Sequence, residues 1–242
     1  MANVFFDPGE RRAARVKDLF ARIAPRYDLI NDLQSLGLHR RWKQYVVDLA
    51  RPTPGQEALD VCSGTGDLSF ALADKGATVV GLDFSEEMLR IARQRAVARQ
   101  HAVGRPRFVS GDAQKLPFSD GSFDIVTVGY GLRNLADWRV GLREMTRVAR
   151  PGARLVVLDF GKPPNRLWRA LYFGYLRCFV PVLGLLVVRS ASAYGYILES
   201  LKHYPAQQGV EAAMRELELV QVRVVNLLGG VMSINYGEKI GR

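Results

Sequence analysis

From residue 57 to residue 161, short apolar runs alternate with amphipathic stretches. The runs "EALDVCSG" (57–64), "ATVVGLDF" (77–84), "RFVSGD" (107–112), "FDIVTVGYG" (123–131) and "ARLVVLDFG" (153–161) are short and mostly rich in Val, Leu, Ile or Phe. They read as strands. Between them, Asp67–Lys75, "SEEMLRIARQRAVARQ" with Ser85 as N-cap, and "DWRVGLREMTRVAR" with Asp137 as N-cap read as helices. Pro151-Gly152 is expected to stop the third of these. Near-continuous apolar strands alternating with helices predict a parallel sheet covered on both faces. The last two runs, "LELVQVRVVNLLGG" and "VMSINYGEKI", lie too close together for a crossover helix. They predict an antiparallel hairpin turning at Gly229-Gly230. The expected fold is α/β: a Rossmann-like, doubly wound, mostly parallel seven-stranded sheet ending in a hairpin.

Two segments stand outside that alternation. Residues 1–50 predict a helical N-terminal addition, leaving 51–242 as the main domain. Residues 162–205 predict an insertion before a last helix, Ala206 to Arg215.

The first strand runs into the turn Gly64-Thr65-Gly66, and Asp67 follows at once. Such turns often hold a pyrophosphate on bare N–H groups and the positive end of a helix. Here Asp67 occupies that end, and Asp60 lies just before the turn. Two carboxylates disfavour pyrophosphate and suit a cation, which points to S-adenosylmethionine rather than NAD. Asp67 can also be read as a simple helix cap. Asp83 ends the second strand, where a carboxylate binds ribose hydroxyls in either cofactor. Asp112 and the backbone of Ala113, after the third strand, are candidates for the adenine amino group.

These residues, with "LPFSDGSFDIVTVGYGLRN", resemble a class I methyltransferase. More narrowly, the chain resembles the C-methyltransferases of ubiquinone and menaquinone synthesis. The segments that carry this are "VKDLFARIAPRYDLINDLQSLGLHRRWK" (16–43), "YGLRN" (130–134), "REMTRVARPGARLVVLDFGKP", "AYGYILESLKHYP" (193–205) and "NLLGGVMSINYGEK". The resemblance implies cofactor contacts at Thr65, Asp83, Asp112 and Ala113. Gly129 stands where the family commonly has serine, Asn235 where it often has histidine, and Ile30 where it usually has methionine. It also implies methyl transfer to a ring carbon of a polyprenylated quinol.

A ring carbon becomes nucleophilic when the neighbouring hydroxyl ionises, and a nearby cation favours that ionisation. Arg133, in the loop after the fourth strand, is assigned to stabilise the phenolate, with Arg133→Ala expected to leave the fold intact. A surface salt bridge is the alternative. The proton acceptor stays open among Asp159, His203, Tyr194 and Tyr196, or a water held by one of them. His39 belongs to the N-terminal signature and can equally cap a helix. No nucleophilic side chain is required.

The formal net charge is +10, which suits an acidic partner. The insertion mixes Trp168, Tyr172, Phe173, Tyr175 and Phe179 with Arg166, Arg169, Arg177 and Arg189, as an anionic membrane interface favours. A core helix with basic flanks is the other reading. No basic cluster joins a nucleic-acid module, so no nucleic-acid partner is expected. The Cys/His spacing fits no metal site. Two cysteines and no signal-peptide core lead us to expect a cytoplasmic protein, peripheral at the membrane surface. The alternatives are a methyltransferase for another aromatic or lipid substrate, and a non-catalytic membrane-associated binder.

Overall fold

The computed structural model describes residues 18, 20, 21, 23–99, 104–188 and 192–241, without the side chains of 183–188 and 192–196. Seven strands form one sheet in the order β3-β2-β1-β4-β5-β7-β6. They are β1 (Glu57–Val61), β2 (Thr78–Asp83), β3 (Arg107–Ser110), β4 (Phe123–Gly129), β5 (Ala149–Phe160), β6 (Val220–Leu227) and β7 (Met232–Glu238). The first five are parallel, and β7 runs antiparallel to both β5 and β6. The chain winds outward from β1 in one direction and from β4 in the other. The switch point therefore lies between β1 and β4, where open sheets of this kind bind ligands at the strands' carboxyl ends.

Alternation along the strands builds two cores. Leu59, Val61, Val126, Val128, Leu155 and Val157 pack on one face under α5 (Trp138–Val148) and α8 (Ala206–Glu216). Ala58, Ile125, Val156, Leu158 and Ile234 pack on the other, under α2 (Leu38–Ala50) and α3 (Asp67–Ala73). α4 (Glu86–Ala98) joins β2 to β3, with Ser85 Oγ accepting the Met88 N–H as its cap. Asp137 caps α5 by accepting from the Arg139 and Val140 N–H groups.

The third helix ends earlier than the sequence suggests. It stops at Val148, and Pro151-Gly152 lies inside β5. Lys239 Nζ donates to the Thr146 and Ala149 carbonyls and terminates the helix from outside. Gly152, at φ +80°, donates its N–H to the Lys239 carbonyl, and the strand bulges against β4 between Phe123 and Ile125.

The N-terminal helices are not a detached addition. Val46, Val47 and Ala50 of α2 belong to the main core. α1 (Tyr27–Ser35) is held to the glycine turn by polar contacts. Thr65 Oγ1 donates to Asp28 at 2.9 Å, and Arg95 donates to Asp28, the Thr65 carbonyl and Asp67. The insertion forms α6 (Arg166–Val188) and α7 (Ser192–His203). Tyr172, Leu176 and Val180 of α6 pack with Ile23, Ile30, Ile197 and Leu201 into a third apolar cluster beside α1.

Candidate active site

Two cavities open side by side at the carboxyl ends of β1, β2 and β4. The first is lined by Gly64, Asp83, Phe84, Gly111 to Gln114, and Gly129 to Gly131, with Tyr27 closing it from α1. Among the described residues, its charged lining is Asp83 and Asp112. Asp83 is buried and accepts the Gly64 N–H at 2.8 Å and the Ser85 N–H at 2.9 Å. Those two bonds fix the carboxylate at the end of β2, while its remaining lone pairs are available to hydroxyls. Burial pushes the Asp83 carboxyl up, and the backbone N–H groups oppose that shift. Asp112 accepts the Gln114 N–H at 2.8 Å in a turn that presents Ala113 to the same space. Asn134 donates to the Tyr130 carbonyl, and its Oδ1 is buried without a hydrogen-bond partner among the described residues. A negative cavity without lysine or arginine in its lining fits the sulfonium and ammonium of S-adenosylmethionine and disfavours a pyrophosphate.

The turn acids do not supply that charge, which corrects the sequence argument. Asp67 is bound by Lys43 at 2.7 Å and Arg95 at 2.6 Å and does not line the first cavity. Burial pushes its carboxyl up, but the two cations outweigh that and hold it well below the usual carboxylate range. Asp60 is buried beneath the turn, accepting from Ser69 at 2.6 Å and Thr127 at 3.1 Å. Thr65 and Gly66 also lie outside the lining. Gly66 instead serves the packing: at φ +88°, a Cβ there would stand 2.8 Å from the Phe108 ring.

Backbone strain gathers on the lining of the first cavity. Cys62 and Tyr130 both adopt left-handed conformations, at φ 56° and 62°. Between them Gly131 packs so closely that a Cβ would fall 2.4 Å from that of Cys62. At Gly129 an added Cβ would meet Leu68 at 3.8 Å, an ordinary van der Waals contact, so a small side chain fits there without strain. Burial pushes the Cys62 thiol well above its ordinary value, which makes it a poor nucleophile.

The second cavity is mostly apolar. Ile23, Ile30, Trp42, Phe160, Leu176, Val180 and Ile197 are among its lining residues, and Tyr27 and Tyr130 line both cavities. Its polar lining includes Asn31, Gln34, His39, Tyr172 and Arg133. Asn31 Nδ2, Gln34 Nε2, His39 Nδ1 and the Tyr130 and Tyr172 hydroxyls are buried without hydrogen-bond partners among the described residues. Buried polar groups of this kind are ordinarily satisfied, so such a wall suits a ligand that brings its own hydroxyls.

Arg133 lies on this second wall, not in the first cavity. It is buried, donates to Asp159 at 2.8 Å and to the Tyr130 carbonyl at 2.6 Å, and stacks on Phe160. Arg133→Ala would strand Asp159 in the core, at a cost of about 3–5 kcal/mol. The expectation that the fold would survive that change intact is therefore corrected. Burial pushes Asp159 up, and Arg133 pulls it back. As the arginine's counter-ion, absent from both linings, Asp159 is poorly placed to accept a substrate proton.

His203 is exposed, with Nδ1 at 3.2 Å from the Glu199 carbonyl, and lines neither cavity. Tyr194 and Tyr196 lie within α7, but their side chains fall outside the described residues. Asn235 is buried and donates to the Gln207 carbonyl, away from both cavities. Sequence reasoning did not assign Tyr27, Tyr130 or Asn134 to the site. The usable signal was their position in the N-terminal signature and in "YGLRN".

The model of the ubiE/COQ5 methyltransferase family matches residues 9–239. The chain is 40% identical over 235 residues to the ubiquinone/menaquinone biosynthesis C-methyltransferase UbiE of Ectopseudomonas mendocina, covering 96% of this chain and 91% of that protein. It is 39% identical to the UbiE of Cellvibrio japonicus, covering 96% and 94%. Among solved structures, a putative S-adenosyl-L-methionine-dependent methyltransferase from Methanococcus maripaludis superposes with a TM-score of 0.63 at 20% identity, covering 93% of this chain and 95% of that one. The [4+2]-cyclase SpnF superposes with a TM-score of 0.65 at 17% identity, covering 94% and 96%. These structural likenesses speak to the fold alone, and the cyclase illustrates that this fold does not dictate a reaction.

The buried Asp60 generates a pH test. Burial pushes its carboxyl up to about 6 from 3.8, with the Ser69 and Thr127 hydroxyls opposing. The native state thus binds this proton more tightly than the unfolded chain does. The resulting stability is full below about 3.8 and is lost as pH rises through about 6. Asp60→Asn should flatten that dependence and unfold at higher urea than wild type above about pH 6, by roughly 1–3 kcal/mol. Urea midpoints measured across this range check it. Parallel pH dependence in the two proteins would show that Asp60 ionises at no cost.

Proposed function

The chain belongs to the ubiE/COQ5 methyltransferase family, and from that premise we propose that the second cavity takes a polyprenylated quinol and presents its ring carbon for methylation. The protein is an S-adenosylmethionine-dependent C-methyltransferase of quinone biosynthesis. The finer reading is conversion of demethylmenaquinol to menaquinol, the C-methylation step of ubiquinone synthesis, or both. The observation that carries it is the pairing of a negative cavity with an apolar one across Tyr27 and Tyr130.

When bound, S-adenosylmethionine supplies an electrophilic methyl group. In our reading Asp83 holds the ribose hydroxyls, Asp112 and the Ala113 N–H hold the adenine, and Gly64 and Gly129 leave room for the rest. Tyr27 and Tyr130 orient the quinol, whose two hydroxyls meet the buried polar groups of the second wall. Arg133 steadies the developing phenolate; its burial and its place on that wall support this role. Its pairing with Asp159 limits the charge it can offer but fixes its position. Exclusion of water by the apolar lining strengthens each of these contacts.

The prenyl tail has to reach the cavity from a bilayer. Among the described residues, no helix is long and apolar enough to cross a membrane. α6 nonetheless exposes Leu167, Leu171, Phe179 and Val182, with Tyr175 partly exposed at the cavity edge, along a stripe that adjoins its buried Tyr172, Leu176 and Val180. Leu29, Leu33 and Leu36 are exposed on or just after the neighbouring α1, to which Tyr175 is tied through the Gln34 carbonyl. Arg166 and Arg177 are exposed on the same helix. We read this apolar, basic-flanked surface as resting on an anionic bilayer, beside the cavity that takes the quinol head.

Purified protein supplied with S-adenosylmethionine and demethylmenaquinol should form menaquinol. Arg133→Lys, which keeps a cation opposite Asp159, should retain cofactor affinity while its rate falls by roughly 10²-fold, because a point charge replaces a planar fork. Wild-type turnover in that variant would reduce Arg133 to a scaffold residue. Absence of any quinol methylation by the wild type would remove the substrate reading.

A second test addresses the surface. Leu171→Glu combined with Phe179→Glu should abolish sedimentation with anionic vesicles at low salt and leave turnover of a short-chain, water-soluble quinol unchanged. Equal vesicle binding by variant and wild type would show that the bilayer contacts another face.

A further inference from the structure

Methylation of a quinol ring carbon requires a group that accepts the substrate proton. Asp159 is engaged by Arg133, and His203 lies outside both cavities. Of the second cavity's lining groups, burial pushes the Tyr130, Tyr172 and Tyr175 hydroxyls up, so they hold their protons. Asn31, Gln34 and Ser35 are not proton acceptors at neutral pH. Among the described groups that line this cavity, His39, on the same wall as Arg133, is the one with an imidazole lone pair, which accepts a proton near neutral pH.

His39 is the second residue of α2 and is only 3% exposed. Its Nε2 lies 2.9 Å from Asp32 Oδ1. Arg40 also holds that carboxylate, with Nε donating to Oδ1 and Nη2 donating to Oδ2 at 2.7 Å. His39 and Arg40 together draw the Asp32 carboxyl below its ordinary value, so it is ionised. An ionised carboxylate only accepts, so the imidazole must carry its proton on Nε2. The lone pair is thereby left on Nδ1, which is buried without a hydrogen-bond partner among the described residues. Burial draws the imidazole below its ordinary value, with Asp32 opposing, so it is neutral before substrate binds. The charged groups around it are Asp32 on α1, Arg40 and Lys43 on α2, Asp67 on α3, and Arg133 across the cavity.

His39 also lines a second, more polar depression with Asp28, Arg40, Lys43, Asp67 and Arg95. The ring therefore stands between the apolar cavity and a charged surface, a position from which a proton can be passed outward.

We propose that His39, oriented by Asp32, is the catalytic proton acceptor of the methyl transfer. This rests on the quinol reading above. The quinol O–H bond breaks, its proton joins Nδ1, and the electron pair stays on oxygen. The ring carbon forms its bond to the methyl carbon as the sulfur–methyl bond breaks with its electron pair on sulfur. The carbon–hydrogen bond at that position then breaks, its electron pair restores the aromatic ring, and its proton passes to the quinol oxygen. The imidazolium, steadied by Asp32, releases its proton through the polar depression. One proton leaves per turnover, and no oxidant or reductant is required.

His39→Gln places an amide N–H where Nε2 was, so it can preserve the contact with Asp32 while removing the base. It should bind S-adenosylhomocysteine as wild type does, with kcat reduced about 10²–10⁴-fold, the scale for a lost general base. Its rate should go on climbing with pH where the wild-type rate has levelled, because only hydroxide or prior ionisation can then remove the proton. A second readout needs no methyl donor. The ultraviolet band of bound quinol phenolate should appear at lower pH in wild type than in His39→Gln. Asp32→Asn covers the case in which the glutamine variant does not fold. Asparagine can still accept from Nε2 and from Arg40 through its one oxygen but carries no charge to steady the imidazolium, so kcat should fall and its pH profile shift. Wild-type turnover of quinol is the reference, and its absence overturns the substrate reading together with this assignment. Quinol turnover by His39→Gln, or by Asp32→Asn where that is the folded variant, with wild-type kcat and pH profile overturns the His39 assignment alone.

Discussion

Burying a guanidinium and a carboxylate together costs several kcal/mol of solvation per ion, so such a pair persists only where nearly every polar atom finds a partner. Arg133 and Asp159 meet that condition at the carboxyl ends of β4 and β5. Asp159 accepts the guanidinium, the Arg133 backbone N–H and the Phe160 N–H. The same guanidinium draws in the Tyr130 carbonyl and rests on the Phe160 ring. The pair therefore shapes the "YGLRN" loop. That loop puts Gly131 on the first cavity's wall, beside Gly129 at the end of β4, Arg133 on the second's, and Tyr130 on both. Removing either ion would disturb both walls at once.

Around this anchor the two cavities divide the chemistry by charge. Asp83 and Asp112 make the first cavity negative, which favours a cationic methyl donor. The second is apolar, with buried polar atoms that suit a two-hydroxyl head. α1 and α2 complete both, because Tyr27 closes the first while Ile30, His39 and Trp42 line the second. Their attachment to the glycine turn runs through Asp28, Thr65, Asp67, Arg95 and Lys43. Asp67 thus acts on the site through architecture, and it lines neither cavity.

The sheet was legible because burial on both faces writes itself as apolar runs, and helix capping writes itself as Ser85 and Asp137. Positions at the carboxyl ends of β2 and β3 made Asp83, Asp112 and Ala113 readable as cavity residues. What could not be read was pairing across the chain. Asp67 looks like a free charge until Lys43 and Arg95 are brought beside it, and Arg133 looks like a loop residue until Asp159 is found opposite. The early end of α5 depends on Lys239, some ninety residues away. The Asp32–His39 contact spans seven residues and two helices. Its meaning depends on a cavity whose other walls come from α6 and the loop after β4.

The account stands or falls on methyl transfer to the carbon of an ionising quinol. The direct measurement is carbon-13 magnetic resonance of the product formed by the purified protein from S-adenosylmethionine carrying a labelled methyl group. Demethylmenaquinol is supplied in one reaction and its oxidised quinone in the other. The account predicts label bonded to a ring carbon from the quinol and no product from the quinone, which has no hydroxyl to ionise. Label on oxygen, or equal transfer to the quinone, would contradict it.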